Sequence, residues 1–88
     1  MPIANVVFQC TSEPAVGQMT TTVTFANTGG ASGSSCVDVK LFVRNNLENS
    51  QIVCSGQVEP GTSKVETARF GLAVLGDKQY SVKCDRLP

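Results

Sequence analysis

The chain contains no histidine and no tryptophan, and only one tyrosine in 88 residues. Without histidine there is no side chain that titrates unperturbed near neutral pH, so Ser-His and Cys-His nucleophile pairs are excluded. A net charge is missing too: seven basic and seven acidic residues cancel, and neither kind forms a block. That leaves no clustered basic footprint for nucleic acid or an anionic membrane surface. No apolar run approaches the ~18 residues that a membrane span needs, which argues against membrane insertion. The opening "MPIANVVFQC" has neither a basic n-region nor a long apolar h-region. Either the chain is cytosolic, or a signal peptide was removed ahead of it. No N-x-S/T sequon is present.

Cysteine, by contrast, is abundant. Four in so short a chain is an even number, which suits two disulfides. A core of this size is small and gains from cross-links. The positions, Cys10, Cys36, Cys54 and Cys84, are widely spaced with no CxxC. Structural zinc sites usually draw two thiolates from one tight turn, so this spacing argues against metal. One disulfide, or free buried thiols, is the other reading. Two disulfides imply oxidising surroundings, hence a secreted or cell-surface location.

The dominant pattern is period-two alternation, the signature of strands with one buried face. Ile3–Cys10 reads as a first strand, with Val6, Phe8 and Cys10 on one side. Pro14 and Gly17 then mark a break over 13–17. "MTTTVTFA" alternates cleanly: Met19, Thr21, Val23 and Phe25 one way, threonines the other, and β-branching favours the extended backbone. After the glycine-rich "NTGGASGSS", the segment "CVDVKLFVR" sends Val37, Val39, Leu41 and Val43 inward. It sends Cys36, Asp38, Lys40 and Arg44 outward. "NNLENS" reads as a polar hairpin loop and "QIVCSGQVE" as the returning strand. "EPGTS" is a turn, with proline presetting φ and glycine supplying a positive one. "KVETARFGLAV" forms a fifth strand, "LGDKQ" a turn, and "YSVKCD" a sixth strand with Tyr80, Val82 and Cys84 on one face. No helix and no linker emerge. The expectation is one domain over 1–88, an all-β sandwich or partial barrel.

The order of these signals resembles the CARDB group of bacterial and archaeal immunoglobulin-like domains. The resemblance lies in "VTFANTGG", "VDVKLFV", "GQVEPGTSKVETARF" and "GDKQYSVKCD", from about Thr20 to Asp85. It implies an immunoglobulin-like β-sandwich of about six to seven antiparallel strands. It also implies a non-catalytic extracellular module that serves in adhesion or as a spacer. Two features depart from that family: the four cysteines, and the lack of a strand after the Tyr80 strand. The tryptophan and Cys spacing of true immunoglobulin domains are absent as well. No binding residue carries over.

Candidate chemistry is sparse. The carboxylates Glu13, Asp38, Glu48, Glu59, Glu66, Asp77 and Asp85 fall in turns or on outward positions, and no two share a short motif. Lys40, Lys64, Lys78 and Lys83 sit at polar-face or turn positions, unlike the buried amine that covalent lysine chemistry requires. Gly29, Gly30 and Gly33 lead into a strand with no lysine and no helix N-terminus, so they do not form a phosphate cradle. The expectation is no enzyme, no cofactor and no metal. The better surface lead is Phe42, which points outward beside Lys40 and Arg44, an arrangement that can anchor a protein partner or a second subunit. A strand covered on both faces would present the same pattern. Sheet edges offer a further route, by strand addition.

Four cysteines allow three connectivities. Folding 36–44 back on the next strand brings Cys36 near Cys54, leaving Cys10 and Cys84 to tie the first strand to the last. Against this, Cys36 faces outward while Ile52 and Val58 suggest that Cys54 faces in. The functional expectation is an exported, disulfide-stabilised adhesion, structural or protein-binding module. The alternative is a small secreted inhibitor or effector that inserts "NNLENS" or "NTGGASGSS" into a partner.

Overall fold

A computed structural model describes residues 2–15, 17–71 and 80–87. It is all-β, with six antiparallel strands: β1 (Val6–Ala15), β2 (Gln18–Asn27), β3 (Cys36–Val43), β4 (Asn46–Cys54), β5 (Ser63–Gly71) and β6 (Tyr80–Arg86). They form two three-stranded sheets, ordered β1-β2-β5 and β4-β3-β6. The central strands are the two with the cleanest alternation. In β2, Met19, Thr21, Val23, Phe25 and Asn27 are buried while the residues between them are not. In β3, Val37, Val39 and Leu41 are buried in the same alternating way. These two inward rows, with Val53, Val58, Ala68 and Phe70, make one core between the sheets. This is an immunoglobulin-like sandwich, and the sixth strand is the last that the described residues contribute.

Three features differ from the sequence expectation. β1 begins at Val6 and runs past Pro14 to pair as far as Ala15↔Gln18. Proline is tolerated there because β1 is an edge strand, where a missing N–H costs no ladder bond. The polar hairpin loop expected over "NNLENS" is instead a two-residue turn. Val43 pairs with Asn46, and Arg44 and Asn45 take positive φ values of 51° and 68°. That geometry matches the twist of the flanking strands, and asparagine tolerates it well. Residues 46–50 therefore belong to β4. The ladder is irregular between Leu41 and Phe42, which pair with Asn49 and Leu47 and leave Glu48 without an opposite.

The third difference is which way β4 faces. Val53, paired with Val37, is the buried residue, whereas Ile52 is 65% exposed. Cys54 therefore faces outward with Ile52, the opposite of the expected orientation. The turn at 44–45 and the extra residue at Glu48 set this register, and in a strand a one-residue shift exchanges the faces. The expected fifth-strand extension beyond Gly71 and the "LGDKQ" turn lie outside the described residues.

The Pro-Gly turn appears as expected. Gly61 has φ 75°, and the Thr62 amide donates to the Glu59 carbonyl at 3.1 Å.

Candidate binding surface

Both disulfides form, and they do different work. Cys36–Cys54 joins residues directly opposite on β3 and β4. It closes a separation of 18 residues within one sheet. Cys10–Cys84 joins β1 of one sheet to β6 of the other, across 74 residues. The sandwich is thus stapled between its layers as well as within one. The outward facing of Cys54 explains why the first pair bonds: both sulfurs lie on the outer face of the same ladder.

The glycine loop between β2 and β3 is organised by Asn27, which is 2% exposed. Its Nδ2 donates to the carbonyls of Ala31 at 2.7 Å and Val58 at 2.9 Å. Its Oδ1 accepts from the amides of Asn5 at 3.2 Å and Gly29 at 2.9 Å. One side chain therefore satisfies four backbone groups from three segments. The loop also folds onto residues 3–5: Thr28 N–H donates to Asn5 O, and Gly30 N–H to Ile3 O, each at 2.9 Å. A Cβ on Gly29 would fall on the Ile3 carbonyl and on the Asn5 amide, so this close approach needs glycine. The Gly33 amide bonds Val58 O at 3.1 Å. All three glycine N–H groups are spent inside the protein, and none is left to hold an anion. In the sequence Asn27 stood out only as part of the "VTFANTGG" resemblance at the end of the second strand, with no role assigned to it.

Of the three candidate partner-binding residues, two share one face of β3. Phe42 and Lys40 lie on the outer face of β3, half-buried, while Arg44 sits exposed in the hairpin turn. Lys40 is not a free basic group. Its Nζ lies 3.8 Å from Asp38 and 3.6 Å from Asp85. Asp38 and Asp85 are cross-strand partners, an arrangement that repels unless a cation sits between them. The cross-strand partners of Phe42 are Ser81 on β6 and Leu47 on β4, and Leu47 is 58% exposed. Outward apolar residues on this face therefore come from β4 as much as from β3. Two carboxylates do converge, at Asp38 and Asp85, but on an open sheet face with a lysine between them. Among the described residues no group of His, Cys, Asp or Glu is arranged to hold a metal ion, and no helix is long and apolar enough to cross a membrane.

The two open sides of the sandwich differ. Along the β4–β5 side the inward-register positions include Gln51, Lys64 and Glu66, and the last two are exposed. Along the β1–β6 side the inward residues are Phe8, Cys10, Tyr80, Val82 and Cys84, apolar and only partly buried against the core. At one end of this seam the Arg86 guanidinium donates to the Val6 carbonyl.

The fold and its bridges define a disulfide-stapled, immunoglobulin-like β-domain. No family model matches the chain, and no curated protein matches it. Among solved structures it is similar to a selenomethionine-labelled β-glucosidase from Kluyveromyces marxianus, with a TM-score of 0.60 and 20% identity. The match covers 78% of this chain and 9% of that one. At that identity the likeness concerns the fold alone.

Proposed function

We propose that the protein is an exported, non-catalytic module with an adhesive, structural or protein-binding role, built to keep its shape under load. The observation that carries this reading is the Cys10–Cys84 bridge. It connects the first strand to the last, so tension arriving from outside the bridge passes through a covalent bond and bypasses the core. Only the residues before Cys10 and after Cys84 can then extend. Two further features support the reading. The two disulfides are compatible with an oxidising location. The fold also recurs as a small fraction of a longer chain, as modules do. Asp38 and Asp85, the carboxylates that come together, lie on a flat face bridged by Lys40 and not in a concave pocket, which favours a role without catalysis. The inhibitor reading draws less support, since 46–50 lie in a strand and the glycine loop is pinned to the body.

Single-molecule extension tests the proposal, using protein taken from its source with thiols trapped at lysis. The bridged protein should show no unfolding step between its outer handles. After reduction, a step of roughly 260 Å should appear, from the 74-residue separation at ~3.5 Å per residue. Protein that emerges with all four thiols trapped, or that extends equally in both states, overturns the reading.

A further inference from the structure

The β1–β6 side of the sandwich combines two unfinished features. One is the seam of half-buried apolar residues. The other is the outer edge of β6, the last strand in its sheet, with which no described strand pairs. The Leu87 amide donates to the Cys36 carbonyl at 2.9 Å, so at that position the β6 backbone points towards β3. Backbone direction alternates along an antiparallel strand. Ser81, Lys83 and Asp85 therefore also bond β3, while Val82, Cys84 and Arg86 turn their N–H and C=O groups to the open edge.

We infer that this edge pairs with β6 of a second copy, antiparallel about a two-fold axis at Cys84, to give one continuous six-stranded sheet. The charge pattern selects this partner and this register. With Cys84 facing Cys84 of the other copy, Val82 and Arg86 exchange backbone bonds. Lys83 then stands opposite Asp85 of the other copy, twice by symmetry. These are non-hydrogen-bonded positions, where side chains approach most closely. Shifting the centre to Lys83 would set two lysines face to face, a like-charge pair that opposes association. Among the described residues Lys83 has no salt bridge, and Asp85 meets only Lys40, at 3.6 Å. Lys83 is thus unpaired, and a single lysine between Asp38 and Asp85 leaves a net negative charge there. In the paired sheet the two apolar seams, with Phe8 and Val82 from each copy, adjoin across the new strand pair. An isologous contact of this kind closes on itself and uses up the β6 edge of both copies.

This deepens the binding half of the proposed function and is read out by mass instead of force, so either can fail without the other. Sedimentation equilibrium of the oxidised protein should show the mass rising with concentration from 9.3 kDa towards twice that value. Lys83→Glu and Asp85→Lys should each weaken the dimer about tenfold, two pairs changing together. The double substitution, which swaps the charges, should restore it. In the unsubstituted protein, hydrogen exchange at the Val82, Cys84 and Arg86 amides should slow as concentration rises. A chain that stays monomeric at millimolar concentration overturns the inference, including the case where a foreign extended peptide occupies the edge. So does a dimer indifferent to both charges, a double variant as weak as the singles, or edge amides that exchange at one rate throughout.

Discussion

Removing the inter-sheet bridge by Cys10→Ala with Cys84→Ala should be the most damaging double substitution in the domain. Loop-closure entropy for the 74-residue separation corresponds to about 4.5 kcal/mol of stabilisation, most of it through restriction of the unfolded chain. The same relation for the 18 residues between Cys36 and Cys54 comes to about 3 kcal/mol. A domain of 88 residues has ~4–13 kcal/mol in total, so losing the longer link takes a third or more of it. Half-buried Cys10 and Cys84 also pack against the core, so truncation adds a smaller packing loss. Urea unfolding followed by far-UV circular dichroism is the appropriate assay, because the chain has no tryptophan and a single tyrosine. The m-value should rise as well, since the unfolded chain is released from its tether and exposes more surface. A loss below about 1.5 kcal/mol, or a larger loss for Cys36→Ala with Cys54→Ala, would refute this account, which makes loop length the source of the effect.

The remaining predictions concern single side chains. Asn27→Ala should cost about 3 kcal/mol in the same assay, because it strands buried backbone groups. Asn27→Asp should not rescue it, since the two donors to Ala31 and Val58 are still lost; stability equal to the parent would show that Asn27 is not an organising residue. Ile52→Thr should change stability by less than about 0.5 kcal/mol, whereas Val53→Thr, at a position 8% exposed, should cost well over 1 kcal/mol by burying a hydroxyl. The opposite order would mean that β4 presents the other face to the core.

How much was legible follows from how much the neighbours mattered. β2 and β3 could be read directly because each has an unbroken alternation and lies centrally in its sheet, where one face must be buried and both edges are paired. β4 misled because Ile52 and Val53 are adjacent aliphatics, and either could face in. The choice fell to the turn at Arg44–Asn45 and the unpaired Glu48, and neither advertises its geometry: arginine seldom adopts positive φ, and a bulge is defined only against its partner strand. The end of β1 misled for a related reason. Pro14 reads as a break in isolation, and only its place on an edge makes it harmless. For the surface candidates, the sequence placed Lys40 outward correctly. It had no means of showing Asp85, 45 positions away, on the neighbouring strand beside it.

The residue pattern by itself determined the all-β class, the strands that form the two sheet centres, the Pro-Gly turn and the absence of histidine chemistry. All of these are local: they depend on period, backbone preference and inventory. Tertiary structure alone decided which sulfurs meet, which face of β4 is dry, and that Asn27 with its glycines clasps the strand ends instead of a ligand. Among the described residues it also left β6 with an unpaired edge beside an apolar seam. These depend on register and on contacts between segments up to 80 positions apart. No local preference encodes such contacts; they arise from burying both sheets against one core.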